Sequence, residues 1–186
     1  EYSDLDINLI FDQGEFIEFS LSSVANNAII GGILAIIILF VFLKNIRSTF
    51  VVATAIPISI IATFVLIYFS GTTLNIVSLG GLALGVGMLV DNAIVVIENI
   101  FRYRTEGYGR IEAAIHGTQE VSAAIVASTL TTIGVFAPIA FSQGLASELF
   151  KEMALTVTFS LAASLVVALT FIPMLSSRLL KVSVPA

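Results

Sequence analysis

Gly80-Gly81-Leu-Ala-Leu-Gly85-Val-Gly87-Met-Leu-Val-Asp91-Asn92-Ala-Ile-Val-Val-Ile-Glu98 is an apolar, glycine-studded run of membrane-spanning length with one carboxylate set inside it. A charged Asp at the centre of a spanning helix costs about 2.5–3.5 kcal/mol even on the lenient translocon scale. A residue kept at that cost binds an ion, carries a proton or pairs with a cation. On a helix, Gly80 and Gly87 precede Asp91 by eleven and four positions and fall within about 40° of its face. A neighbouring helix is expected to come close there.

Composition agrees with a membrane setting. The 186 residues are 58% hydrophobic and 11% charged, where a soluble domain is nearer 45–50% apolar and about 25% charged. Mean hydropathy is +1.06. The expected class is an all-α integral membrane protein. Cysteine is absent, which excludes disulfides and thiolate metal sites, and His116 alone cannot form a histidine cluster. No metal or cofactor is expected. The chain starts at Glu1 and reads as a piece of something longer.

Outward from the Asp91 stretch, hydropathy marks five spans at about 24–43, 49–69, 74–97, 121–141 and 153–175. Pro57 lies inside the second, Pro138 near the end of the fourth and Pro173 near the exit of the fifth. Before the first span, Leu5, Ile7 and Leu9 alternate with Asp6 and Asn8, which suggests a short strand. From Glu15 the period becomes helical, with Ile17, Leu21, Val24 and Ala28 on one face. A surface helix running into the first span is expected there. A second, amphipathic helix is expected over 110–120, before the fourth span.

Lys and Arg set the orientation. Two lie between spans one and two, three between spans three and four, and two after span five; only Lys151 of the eight falls on the other side. The amino-terminal segment through Glu18 holds six acids and no base. The amino terminus is therefore expected outside and the carboxyl terminus in the cytoplasm.

Asp91 is the strongest chemical signal. No Lys or Arg lies inside any expected span to pair with it. Desolvation favours the neutral form of a carboxyl group, and a carboxyl that exchanges its proton inside a membrane is what a proton relay needs. A purely structural ion pair is the weaker reading. Asn92 supports Asp91 or simply packs, and Glu98 sits about 10 Å further along the helix axis, where an interfacial acid is the plainer role. Gly80, Gly81, Gly85 and Gly87 read first as helix-packing positions, Gly81 and Gly85 forming a small-xxx-small pair. Thr118, Ser122 and Thr129 share a face of the fourth helix, as Thr156, Ser160 and Ser164 do of the fifth; such stripes mark helix contacts more often than a water path.

Two enzyme-like motifs fail. Gly85-Val-Gly87 resembles the Gly-x-Gly-Asp motif of intramembrane aspartyl proteases, but Met88 stands where Asp is required, and aspartic proteolysis needs two carboxylates sharing a proton. The glycines also lack a following Lys-Ser/Thr, which excludes a phosphate loop.

Gly87-Met-Leu-Val-Asp91-Asn92-Ala-Ile-Val-Val-Ile-Glu98-Asn99 resembles the signature span of the resistance–nodulation–cell division transporters, the AcrB-like multidrug efflux pumps. Phe42-Leu-Lys44-Asn45-Ile-Arg47, Ala55-Ile-Pro57-Ile-Ser59, Phe136-Ala-Pro138-Ile-Ala-Phe141 and Phe171-Ile-Pro173 are similar to neighbouring spans of the same family. The resemblance implies spans two to six of the first half of a twelve-span pump, with 1–14 as the end of an extracytoplasmic porter segment and 15–186 as a five-span domain. It implies no enzyme activity and no nucleic-acid partner. It further implies an inner-membrane location among lipid, a second half of the same transporter, a trimer, and export of amphiphilic small molecules by proton antiport. Asp91 matches the family's proton-carrying Asp, which meets a Lys of the second half; Asn92 stands where some members have a second Asp. A sterol- or lipid-sensing module and a protein-translocation accessory of the same superfamily are the alternatives.

Overall fold

The computed structural model describes residues 13–142 and 144–180, and within them the chain is all helical. The five helices are α1 (Gln13–Leu43), α2 (Ile46–Ser70), α3 (Ile76–Thr105), α4 (Arg110–Phe141) and α5 (Leu145–Leu179). The expected strand over residues 5–9 lies outside the described residues. Four helices are long and apolar enough to cross a membrane: α2, α3, α4 and the Phe150–Leu179 part of α5. In α1 the apolar stretch is the shorter Ile29–Val41.

One boundary differs from the sequence expectation. The amphipathic 110–120 segment continues without a break into the fourth span as α4, just as the segment from Gln13 runs unbroken into the apolar stretch of α1. Both have the same cause. No proline or turn signal separates Glu120 from Val121, or Ser23 from Val24, so a change from polar to apolar composition leaves the backbone ladder intact.

Helix ends are set by local chemistry. Asn45 caps α2, its Oδ1 accepting from the Arg47 and Ser48 N–H groups, which satisfies donors that have no partner within the helix. Gly71 closes the same helix at φ 69°, a left-handed conformation that glycine adopts at little cost. Asn75 caps α3 in a reciprocal box with Ser78. Glu152 of α5 reaches this cap, accepting from Thr73 Oγ1 at 2.7 Å and from the Asn75 amide. The start of α3 is thereby tied to the start of α5.

Among the described residues, α3 and α5 form the centre: α3 packs against all four other helices and α5 along α2, α3 and α4, whereas α1 touches only α2 and α3. The apolar core follows that arrangement, running through Val51, Val52, Val96, Ile97, Ile100 and Ile172, all fully buried. Much of the outer surface is correspondingly apolar, with Ile29, Ile33, Ile37, Tyr68, Phe69 and Phe141 exposed. Such a surface suits a lipid solvent or further protein rather than water.

The α3–α4 hairpin closes tightly at its turn. A Cβ on Gly117 would lie 2.8 Å from the Ile100 Cα, so α4 reaches the α3 backbone only because that side chain is absent. Asn99 Nδ2 donates to the Gly117 carbonyl at 2.7 Å and to Glu120 Oε2 at 3.0 Å, and Arg102 pairs with the same carboxylate at 2.5 Å. The Asn99 amide, followed by Arg102, holds the Glu120 carboxyl below the usual carboxylate range. A depressed native value contributes stability that is present above the ordinary carboxylate range and is lost as pH falls through the native value. Melting curves of the wild type and Glu120→Gln should therefore differ near neutral pH and converge in strong acid. Identical curves at neutral pH would show that the pairing does not stabilise the hairpin.

Candidate functional site

Asp91 lies in the third quarter of α3 on a groove formed by α1, α2 and α3. The groove encloses about 390 Å³. Gly31, Gly32 and Leu39 of α1 and Ile56 of α2 line one side, and Val86, Gly87 and Val90 of α3 the other. Asp91 is the charged residue among its lining side chains. It is exposed to the groove rather than enclosed by the bundle, and it has no hydrogen-bond or ion-pair partner among the described residues.

The glycines separate into two faces. Gly81 and Gly85 lie against α5: a Cβ on Gly81 would come 2.8 Å from the Met153 carbonyl oxygen, and one on Gly85 would come 2.6 Å from the Ser160 Cβ. Real Cβ atoms do not approach that closely, so α3 and α5 meet where side chains are missing. Gly80 and Gly87, on the same side of the helix as Asp91, have open space around them. The groove floor beside the carboxylate is thus smooth, and the packed glycine seam faces elsewhere.

Asn92 takes a different direction from Asp91, because consecutive helical residues are rotated by about 100°. Its amide meets Thr129 of α4, with Nδ2 donating to Oγ1 at 3.2 Å. Thr129 is only 3% exposed. Glu98 is exposed and lines a separate groove with Asn99, Arg102 and Thr105 near the hairpin. The structure therefore does not bring Asp91, Asn92 and Glu98 into one cluster. His116 is an exposed residue stacked beside Tyr103, with ring centroids 6.2 Å apart.

The hydroxyl stripes divide as well. Thr156 and Ser160 are fully buried yet donate to carbonyls of their own helix, Thr156 to Glu152 and Ser160 to Thr156. Such back-bonding satisfies a hydroxyl inside an apolar bundle without requiring water. Thr129 departs from that pattern in bonding across to α3. Sequence reasoning missed Asn99, Gly117 and Glu152, whose roles depend on partners 17 to 79 residues away. An Asn and a Glu on the turn-proximal sides of their helices were the available signals, and neither names its partner. Among the described residues no group of three or more His, Cys, Asp or Glu side chains is placed to hold a metal ion.

Comparison with known proteins agrees with the residue-level resemblance. The AcrB/AcrD/AcrF family model matches residues 3–185. The multidrug resistance protein MdtC of Salmonella arizonae is 38% identical over 181 residues, covering 97% of this chain and 18% of that protein. MdtC from Shigella flexneri and from Escherichia coli O157:H7 gives the same identity and the same coverage. The chain thus spans about a fifth of the length of these relatives, which are transporters and not enzymes. A match over nearly the whole chain, on a bundle with four helices fit to cross a bilayer, places it among multi-pass inner-membrane proteins. The chain belongs to the AcrB/AcrD/AcrF family of resistance–nodulation–cell division efflux transporters.

Proposed function

We propose that this chain is part of the transmembrane domain of a proton-driven multidrug exporter, with Asp91 as the residue that takes up and releases the coupled proton. One observation carries the reading: Asp91 stands on an open, glycine-floored groove of about 390 Å³ with no cation among the side chains lining it. An intramembrane carboxylate in that position is functional by default. A second half of the same transporter supplies a cationic partner over this face, and the space beside Gly80 and Gly87 leaves room for its approach. The electrical part of the driving force is about 2.3 kcal/mol per charge per 100 mV. Amphiphilic compounds are the exported class, and the assembled transporter is a trimer. Residues 1–14 end an extracytoplasmic segment, and 15–186 form five spans, with α1 as the first of them.

The proposed orientation places the amino terminus outside and the carboxyl terminus in the cytoplasm. Single cysteines introduced as Ser70→Cys, Gly109→Cys and Ser142→Cys should react with a membrane-impermeant reagent from opposite sides. Positions 70 and 142 should label from outside and position 109 only from inside. Labelling of position 109 in right-side-out vesicles would reverse the topology.

The functional reading is tested by export of an amphiphilic dye from cells carrying the full-length transporter, wild type against Asp91→Asn, with membrane levels matched. The chain alone, lacking a second wall for any pathway, should export nothing.

A further inference from the structure

We infer that Asn92 and Thr129 form a neutral latch between α3 and α4, which holds its bond in both protonation states of Asp91 and makes the site a single-carboxyl site. This rests on the reading of Asp91 as the proton carrier. Thr129 is then a positioning residue, acting on the site through Asn92.

The geometry has three parts. Asp91 faces the groove between α1 and α2, while Asn92, one residue on, is turned to α4. Thr129 Oγ1 lies 3.2 Å from Asn92 Nδ2 and 3.5 Å from Oδ1, so the hydroxyl meets the amide at both its donor and its acceptor. The other polar ties between α3 and α4 are at the hairpin end, where Asn99 bonds the Gly117 carbonyl and Arg102 pairs with Glu120. Thr129 is twelve residues beyond Gly117, about 18 Å along the helix. Helix α4 is therefore held to α3 at two heights, and the deeper one is level with Asp91.

The chemistry separates a latch from ordinary packing. An amide and a hydroxyl each donate and accept at every pH, so this contact does not change when Asp91 binds or loses a proton. A carboxylate at position 92 would behave differently: ionised, it could only accept, and its charge would couple to that of Asp91. No charged or titratable side chain of α1, α2, α4 or α5 among the described residues faces either position. The groove wall from α1 and α2 is apolar, and the α4 contact is Thr129. The charges of α4 and α5 lie towards their ends in sequence, from Arg110 to Glu120 on α4 and at Glu148, Lys151, Glu152 and Arg178 on α5. On α3 itself the nearest is Glu98, two turns further on and lining another groove.

The test is infrared difference titration of the purified full-length transporter in liposomes, which needs no transported substrate. The carboxyl band lost in Asp91→Asn reports Asp91. In the wild type it should follow a one-proton curve. Thr129→Val keeps the shape of the side chain and removes the hydroxyl; the Asn92 amide, no longer held on α4, is then free to donate to the ionised form of Asp91, and the midpoint should fall by about half a pH unit or more, roughly threefold in proton affinity. Thr129→Ser should restore the wild-type midpoint. Asn92→Asp should broaden the curve beyond one proton, and it provides an independent reading should Thr129→Val fail to fold. An unchanged midpoint in Thr129→Val, or a one-proton curve in Asn92→Asp, would overturn the latch. If no titrating band is lost in Asp91→Asn, the proton-carrier reading itself fails. If that band is lost while Thr129→Val stays at the wild-type midpoint, only the latch fails.

Discussion

Asp91→Asn is expected to abolish proton-driven export by the full-length transporter while leaving the protein folded and in the membrane. Asn has nearly the shape of Asp and the charge of its protonated form, so the exposed groove position should accept it with little structural change. What the substitution removes is the capacity to change charge. A conformational cycle driven by protonation needs a group whose two states interact differently with the surrounding helices. A neutral amide offers one state only, so the imposed proton gradient would have nothing to act on. Export should fall to the level of cells without the transporter. Asn92→Asp, which adds an acid instead of removing one, should be tolerated better. A lipid-sensing module would give another result, with ligand binding indifferent to Asp91→Asn.

The second large effect is expected at the α3–α5 seam. A Cβ on Gly85 would lie 2.6 Å from the Ser160 Cβ and 2.7 Å from its Oγ, so even alanine forces the two helices apart. Overpacking a well-fitted interior costs about 1–3 kcal/mol, and more where backbones must move. Set against a total stability of about 5–15 kcal/mol for a typical domain, Gly85→Leu should deplete folded protein from the membrane. Gly85→Ala should lower the melting temperature measurably. Ser160→Gly in the same protein should recover part of that loss, because it removes the atom that the new methyl group meets. Gly134→Leu is the control, since nothing lies within 4 Å of a Cβ there. Equal losses from Gly85→Ala with and without Ser160→Gly would contradict the close approach.

The helical architecture was legible in the sequence because apolar runs of spanning length require little beyond hydropathy. Its boundaries were less so. The sequence expectation cut one helix at Val121 from composition alone, but composition changes sides at an interface without stopping a backbone ladder. The glycine span shows why site geometry was only partly legible. Gly81 and Gly87 carry the same absence of a side chain, and nothing local says which of them α5 packs against. That depends on Met153 and Ser160, more than seventy residues away in sequence. The partner of Asn92 was hidden for the same reason. Thr129 stood out only as one member of a hydroxyl stripe, and the bond across to α3 arises from the way the α3–α4 hairpin closes at Gly117.

Coupled proton movement tests the central claim most directly. The full-length transporter would be reconstituted in liposomes enclosing a pH-sensitive dye, with a proton gradient imposed and a panel of amphiphilic dyes added in turn. The account predicts that at least one amphiphile accelerates proton flux through the wild type, and that Asp91→Asn at equal protein content gives none of this acceleration. Equal amphiphile-dependent proton flux through wild type and Asp91→Asn would contradict it.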